Sequence, residues 1–222
     1  MSGTNLLAIL QLASPALPVG AYSYSEGIEW LVERGVIRSA TDLEQWLRHE
    51  LQYGSVQLDA RVVRRLYGVM EQADPTALAY WNQWLSAQRD TEELRYQSWQ
   101  MGNALIKLLK DMDLFPSWLT TPIQPCNYGV AFAITAYQWG ISLADSLKIY
   151  LFSWTANIIS AGIRTIPIGQ TEGQKMLFRL HALIQEQSDV LTREAGELES
   201  CTIGLGLASM YHETQYSRLF RS

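Results

Sequence analysis

Between Lys148 and Glu172 the sequence carries a single charged side chain, Arg164, and residues 149–163 (IYLFSWTANIISAGI) carry none. A run this apolar on every face predicts a helix buried on all sides, against which the other helices of the domain pack. It falls short of the ~20 residues that span a bilayer, and Asn157 and Ser160 interrupt it, so the sequence favours a buried helix over a membrane helix. Pro167 ends the run, having no N–H and clashing with the preceding turn. Gly169 and Gly173 bracket the next helix start, where Thr171-x-x-Gln174 fits a capping box. Arg164 is open to two readings: a surface charge just past the core, or a partly buried guanidinium forking onto backbone carbonyls or a carboxylate.

The rest of the chain reads as helix after helix. Residues 5–13 form a short apolar helix that stops before the proline-punctuated stretch SPALPVG at 14–20. Ser23-x-x-Glu26 then fits the cap of a helix running to Arg34, with Gly35 as its stop. Ser39-x-x-Asp42, Asp74-Pro75, Asp90 and Ser142-x-x-Asp145 mark four further helix starts. On residues 59–70, Arg61, Arg64 and Arg65 lie outside the Val62, Leu66, Val69 stripe. Residues 115–125, with Pro116, Pro122 and Pro125, read as a long connection, because neither half looks able to bury a core alone. Residues 127–139 form an apolar helix, 171–188 an amphipathic one and 202–210 a short one. No stretch alternates with the two-residue period of a strand. The expected fold is all-α: one domain over residues 1–222, about ten helices bundled around a buried central helix at residues 143–166.

Composition narrows the function. Hydrophobic residues make up 48% of 222 and charged ones 18%, which supports a sizeable core and argues against disorder. A net charge of −5 gives no basic footprint for nucleic acid. Cys126 and Cys201 are too few for a disulfide framework and suit a reducing cytoplasm, and the N-terminus lacks a signal peptide's basic region. Gly102-NALI-Lys107 lacks the second glycine of a phosphate loop, and Gly204-Leu-Gly206 follows no strand. His212-Glu213-x-x-Tyr216 has tyrosine where a zinc-protease helix needs its second histidine. His49, His181 and His212 lie far apart, so no catalytic constellation is readable and no resident metal is assigned; a two-fold dimer would double each ligand.

Two stretches resist a purely structural account. Residues 20–27 (GAYSYSEG) put two tyrosines, Tyr22 and Tyr24, at a helix entrance. Residues 217–222 (SRLFRS) set apolar Leu219 and Phe220 between Arg218 and Arg221. A terminal segment frays unless something ties it down, and this one reads as docking on its own domain or on another protein.

At these residues the chain resembles the urease accessory UreF family. Four stretches carry the likeness: residues 7–29, ELRYQSWQMGNAL at 93–105, SAGIRTIPIGQTEGQ at 160–174, and ASMYHETQYSRLFRS at 208–222. One departure stands out: Asn127, beside Cys126, where such proteins often carry histidine. The resemblance implies a cytoplasmic, all-helical, homodimeric protein that is not an enzyme. It implies binding to UreD/UreH and, through that complex, recruitment of the GTPase UreG to apo-urease, with nickel handled by the assembled complex and no cofactor of the chain's own. Residues 213–222 would form the partner-binding tail, with Arg218, Leu219, Phe220 and Arg221 ordered against UreD/UreH. Tyr22, Ser23 and Tyr24 would line a surface beside it. Arg164, Gln170, Gly173 and Gln174 fall in the family's central motif, in packing or in partner contact. Two other roles stay open: a regulator of UreG acting through a residue in trans, with Arg164 as candidate, and a direct nickel carrier.

Overall fold

The computed structural model describes residues 5–120, 123–194, 196–200 and 203–222. Over these residues the fold is all-α, with ten α-helices and no strand. They are α1 (Leu6–Leu12), α2 (Ile28–Glu33), α3 (Ala40–Tyr53), α4 (Ser55–Glu71), α5 (Pro75–Ala87), α6 (Glu92–Asp111), α7 (Tyr128–Gln138), α8 (Leu143–Thr165), α9 (Gln170–Arg193) and α10 (Ile203–Glu213). Cys201, and Thr202 at the expected start of the last helix, lie outside the described residues, as does Pro122 in the proline-rich connection.

Local chemistry sets most helix starts. Ser39 and Ser142 accept the backbone N–H of Asp42 and Asp145, three residues on. Asp74 Oδ1 takes the N–H groups of Thr76 and Ala77, with Pro75 in the first turn. Each cap satisfies donors that the first turn leaves without an intrahelical partner. Two expected caps shift. Helix α6 is capped by Thr91, one residue past Asp90. Helix α9 starts at Gln170, and the Gly169 carbonyl receives the N–H of Gly173, so Thr171 lies inside the helix and does not cap it.

Helix α8 is the hub: α1, α2, α3, α4, α7 and α9 all pack against it. Its burial is one-sided, however. Leu147, Leu151, Ile158 and Ala161 are sealed, whereas Phe152, Ser153, Trp154 and Asn157 are half-buried and Ser160 is exposed. The helix sealed on every face is α7, where Val130 to Ile134 and Ala136 have no exposed area. The half-buried face of α8, with Phe152, Ser153, Trp154, Asn157 and Ser160, is uncharged and walls a cavity. Helix α9 lies so close to α8 that a Cβ on Gly173 would stand 2.4 Å from Ile163 Cδ1.

Candidate functional site: a seated tail and the cavity behind it

The site begins with the loop before α2. Gly20 has φ 74°, a 3-10 turn covers Ala21–Ser23, and Glu26 and Gly27 follow with φ 52° and 79°. Left-handed backbone is natural for glycine and costly for glutamate. The turn brings Glu26 inward, so the expected Ser23/Glu26 cap does not form, and α2 starts after Gly27. Gly27 is required twice over, because a Cβ there would lie 2.8 Å from that of Ala208 on α10.

Residues 218–222 lie against this loop. The carboxylate of Glu29 on α2 accepts the successive N–H groups of Leu219 and Phe220, at 2.6 and 3.0 Å. Arg221 N–H donates to Ser23 O at 2.9 Å. Ser222 O accepts from Ser25 N, Ser25 Oγ and Glu26 N at 2.6, 2.8 and 3.1 Å. Arg218 pairs with Glu93 on α6, and the Ser222 hydroxyl donates to Gln97. Phe220 (4% exposed) and Ser222 (1%) are buried and Leu219 (63%) faces out, while Arg221 is exposed with its side chain reaching the Tyr24 phenol.

Arg164 closes the seat from α8. Its guanidinium lies 4.1 Å from the Phe220 ring centroid, and it donates to Tyr22 O at 2.6 Å and to Ser160 O at 3.3 Å. Of its two readings the fork onto backbone carbonyls is the one found, although much of the side chain remains exposed. Partial burial lowers its basicity from the ordinary arginine value.

His212 lies under the tail with no exposed side-chain area. Its Nε2 is 3.2 Å from Glu29 Oε2 and its Nδ1 is 3.1 Å from Glu93 Oε2. Both ring nitrogens therefore face a carboxylate oxygen, one from α2 and one from α6. The two carboxylates that grip His212 are the two that hold the tail.

Behind the loop is a cavity of about 380 Å³ whose lining includes Tyr22, Glu26, Asp59, Arg89, Tyr150 and Asn157. Glu26 accepts from Gln97 Nε2 at 2.8 Å and from Trp154 Nε1 at 2.9 Å. Burial pushes its carboxyl above the ordinary range, against the pull of those two hydrogen bonds. Asp59 accepts from Arg89 at 2.8 Å and from Tyr150 Oη at 2.9 Å. Desolvation works against the charge of Arg89, and Asp59 overcomes it, so its basicity ends above the ordinary value. Burial, with Asp59 alongside, drives the Tyr150 phenol well up.

The sequence profile of the UreF family matches residues 37–181, well over half of the chain. Relatives named urease accessory protein UreF match along nearly the full length. That of a Nostoc species is 50% identical over 98% of this chain and 96% of its own. That of a Synechocystis species is 50% identical over the whole of both, and that of Alkalilimnicola ehrlichii is 40% identical over 96% of this chain and 93% of its own. The chain belongs to the UreF family.

Of the residues expected at the site, Tyr22, Ser23, Tyr24, Arg164, Arg218, Leu219, Phe220 and Arg221 converge on one surface. The tyrosines divide, with Tyr22 69% exposed and Tyr24 buried at 4%. Gln170 and Gln174 lie exposed on the first turns of α9, where Gln174 lines the cavity. Gly173 serves the close packing of α8 and α9. Asn127 is fully employed in the interior. It donates to Asn82 O and Ser86 Oγ, both at 2.8 Å, and accepts from Ser98 Oγ at 3.1 Å, tying α5 and α6 to the start of α7. Cys126 beside it is buried, which pushes its thiol up to about 12. Among the described residues no three His, Cys, Asp or Glu side chains cluster as a metal site, and no helix is long and apolar enough to cross a membrane.

Sequence reasoning missed Glu29, Glu93, Gln97 and His212. They come from three helices, α2, α6 and α10, which tertiary packing brings together beneath the tail. The available signal was their place in stretches that resemble the family: Glu29 in 7–29, Glu93 and Gln97 in 93–105, and His212 in 208–222.

Proposed function

We propose that this chain is a cytoplasmic assembly scaffold for urease maturation and makes or breaks no covalent bond itself. Residues 213–222 present its contact with UreD/UreH; that complex recruits UreG to apo-urease, and nickel is cargo of the assembly. The observation that carries the reading is the construction of the tail. Its backbone and alternate side chains are spent on its own domain, which leaves Leu219 and Arg221 at the surface beside Tyr216 (105% exposed). An apolar side chain and an arginine held at the surface on an ordered strap suit an interface anchor, since little entropy remains to be lost on binding. Further apolar side chains exposed on α1 (Leu6, Leu7, Leu10) and α10 (Ile203, Leu207, Met210) supply surface for the partner and for a second copy in a homodimer.

The alternatives meet committed side chains. Arg164 is engaged by two carbonyls and an aromatic ring, an unsuitable state for a residue lent to UreG. His212 is held by two carboxylates, and the Cys126 thiol is buried and protonated, which disfavours both as nickel ligands. Removing residues 218–222 should abolish co-purification with UreD/UreH while the helical circular dichroism persists. Undiminished co-purification would defeat the proposal.

A further inference from the structure

The tail's seat and the cavity share one wall, the loop at 20–27. On its outer side, the N–H groups of Ser25 and Glu26 are held by Ser222 O, and Ser23 O by the N–H of Arg221. On its inner side, Glu26 accepts the Trp154 indole, and Asn157 Nδ2 reaches Tyr24 O at 3.4 Å. Gln97 bonds both sides at once, accepting from the Ser222 hydroxyl and donating to Glu26. Arg164 does the same through the Phe220 ring and Tyr22 O. Glu26 keeps its left-handed backbone at φ 52° under these constraints. A non-glycine residue in that region costs on the order of 1–3 kcal/mol and persists only where its surroundings over-determine it.

We propose that the tail is the outer brace of the cavity. When residues 218–222 leave their seat, the loop at 20–27 relaxes, Glu26 leaves the left-handed conformation, and the Trp154 side of the cavity opens. Tail and cavity form one two-state unit, and coupling of this kind is reciprocal: an occupant of the cavity that moves Glu26 also changes how firmly the tail is held. The functional meaning rests on the tail being the partner-binding segment. The coupling itself is a property of the isolated chain and is tested without a partner, so a failed pull-down and a failed coupling remain distinguishable.

The reporter is the Trp154 indole N–H, which bonds Glu26 and makes no bond to the tail. Its hydrogen exchange is followed by NMR in the ¹⁵N-labelled chain and assigned with Trp154→Phe. The Trp99 indole, bonded to Ser86 at 3.1 Å, is the internal control. In the chain lacking residues 218–222, exchange at Trp154 should rise at least about tenfold with Trp99 unchanged. Full-length Phe220→Ala should give a smaller rise in the same direction, and it decides the matter if the shortened chain fails to fold. In the reverse direction, Trp154→Phe should speed trypsin cleavage after Arg218 by at least about threefold. Trp154 exchange within about twofold of wild type in a folded variant with its tail removed or loosened would overturn the proposal.

Discussion

Phe220→Ala isolates what holds the tail down. The ring is 4% exposed and stacks under the Arg164 guanidinium. Burying a phenylalanine is worth ~1.5–3 kcal/mol, and a cation over its face adds ~0.5–1 kcal/mol at a site this near solvent. The tail's backbone hydrogen bonds survive the change, so the loss is about 2–4 kcal/mol of seating energy, or roughly 30- to several-hundred-fold in the ratio of seated to free tail. Trypsin reads this directly, because cleavage after Arg218 follows the population of free tail when opening and closing are fast. Cleavage followed by mass spectrometry should accelerate by at least about 30-fold in Phe220→Ala. Leu219→Ala, its exposed neighbour, should stay within about twofold of wild type. Helical melting should change little in either, since the seat is peripheral to the core. Acceleration below about threefold in Phe220→Ala would refute the assignment of Phe220 as the tail's anchor.

Other outcomes follow from the interior. Burial, with the charge of Glu26 nearby, pushes the Glu50 carboxyl from 4.5 to about 7. The folded chain therefore holds a proton that the unfolded chain releases. Stability falls as pH rises from 4.5 to about 7 and stays low above it, by about 3 kcal/mol from this group. Glu50→Gln should recover much of that at pH 8 and none at pH 4 in urea titrations; an equal effect at both pH values would contradict the assignment. Gly102→Ala would set a Cβ 2.1 Å from the Cys126 carbonyl oxygen, and Gly173→Ala one 2.4 Å from the mobile tip of Ile163. Both should destabilise, the first more, at about 1–3 kcal/mol or above; the reverse order in thermal melts would be inconsistent with the packing described. Asn127→Ala leaves partners on α5 and α6 unsatisfied and should cost about 2–4 kcal/mol in urea titrations. A cost below about 1 kcal/mol would mean the network is dispensable.

The helices were legible because their ends are written locally. Ser39, Asp74 and Ser142 cap where their side chains reach the next turn, and the charge-free run at 149–163 does mark the hub of the fold. What that run could not reveal is why it lacks charge. A face against a cavity and a face against a core are equally free of charge in this run, so α8 read as sealed when α7 is the sealed helix. Ser23/Glu26 mimicked a cap because the pattern does not register that Gly27 permits a left-handed turn and sends Glu26 inward. The tail was visible as an anomaly, but not its seat. Glu29, Glu93 and His212 are ordinary surface-type residues until tertiary packing brings α2, α6 and α10 together. Asn127 looked like a departure at a site and proves to be a junction of three helices, a role that shows only in its hydrogen bonds.

The central claim is that this polypeptide works by bringing other proteins together. Immobilised UreD/UreH, mixed with UreG in the presence and absence of the purified chain, tests that claim most directly. UreG should be retained only when the chain is present and its tail intact. Equal retention without the chain, or with residues 218–222 removed, would contradict the account.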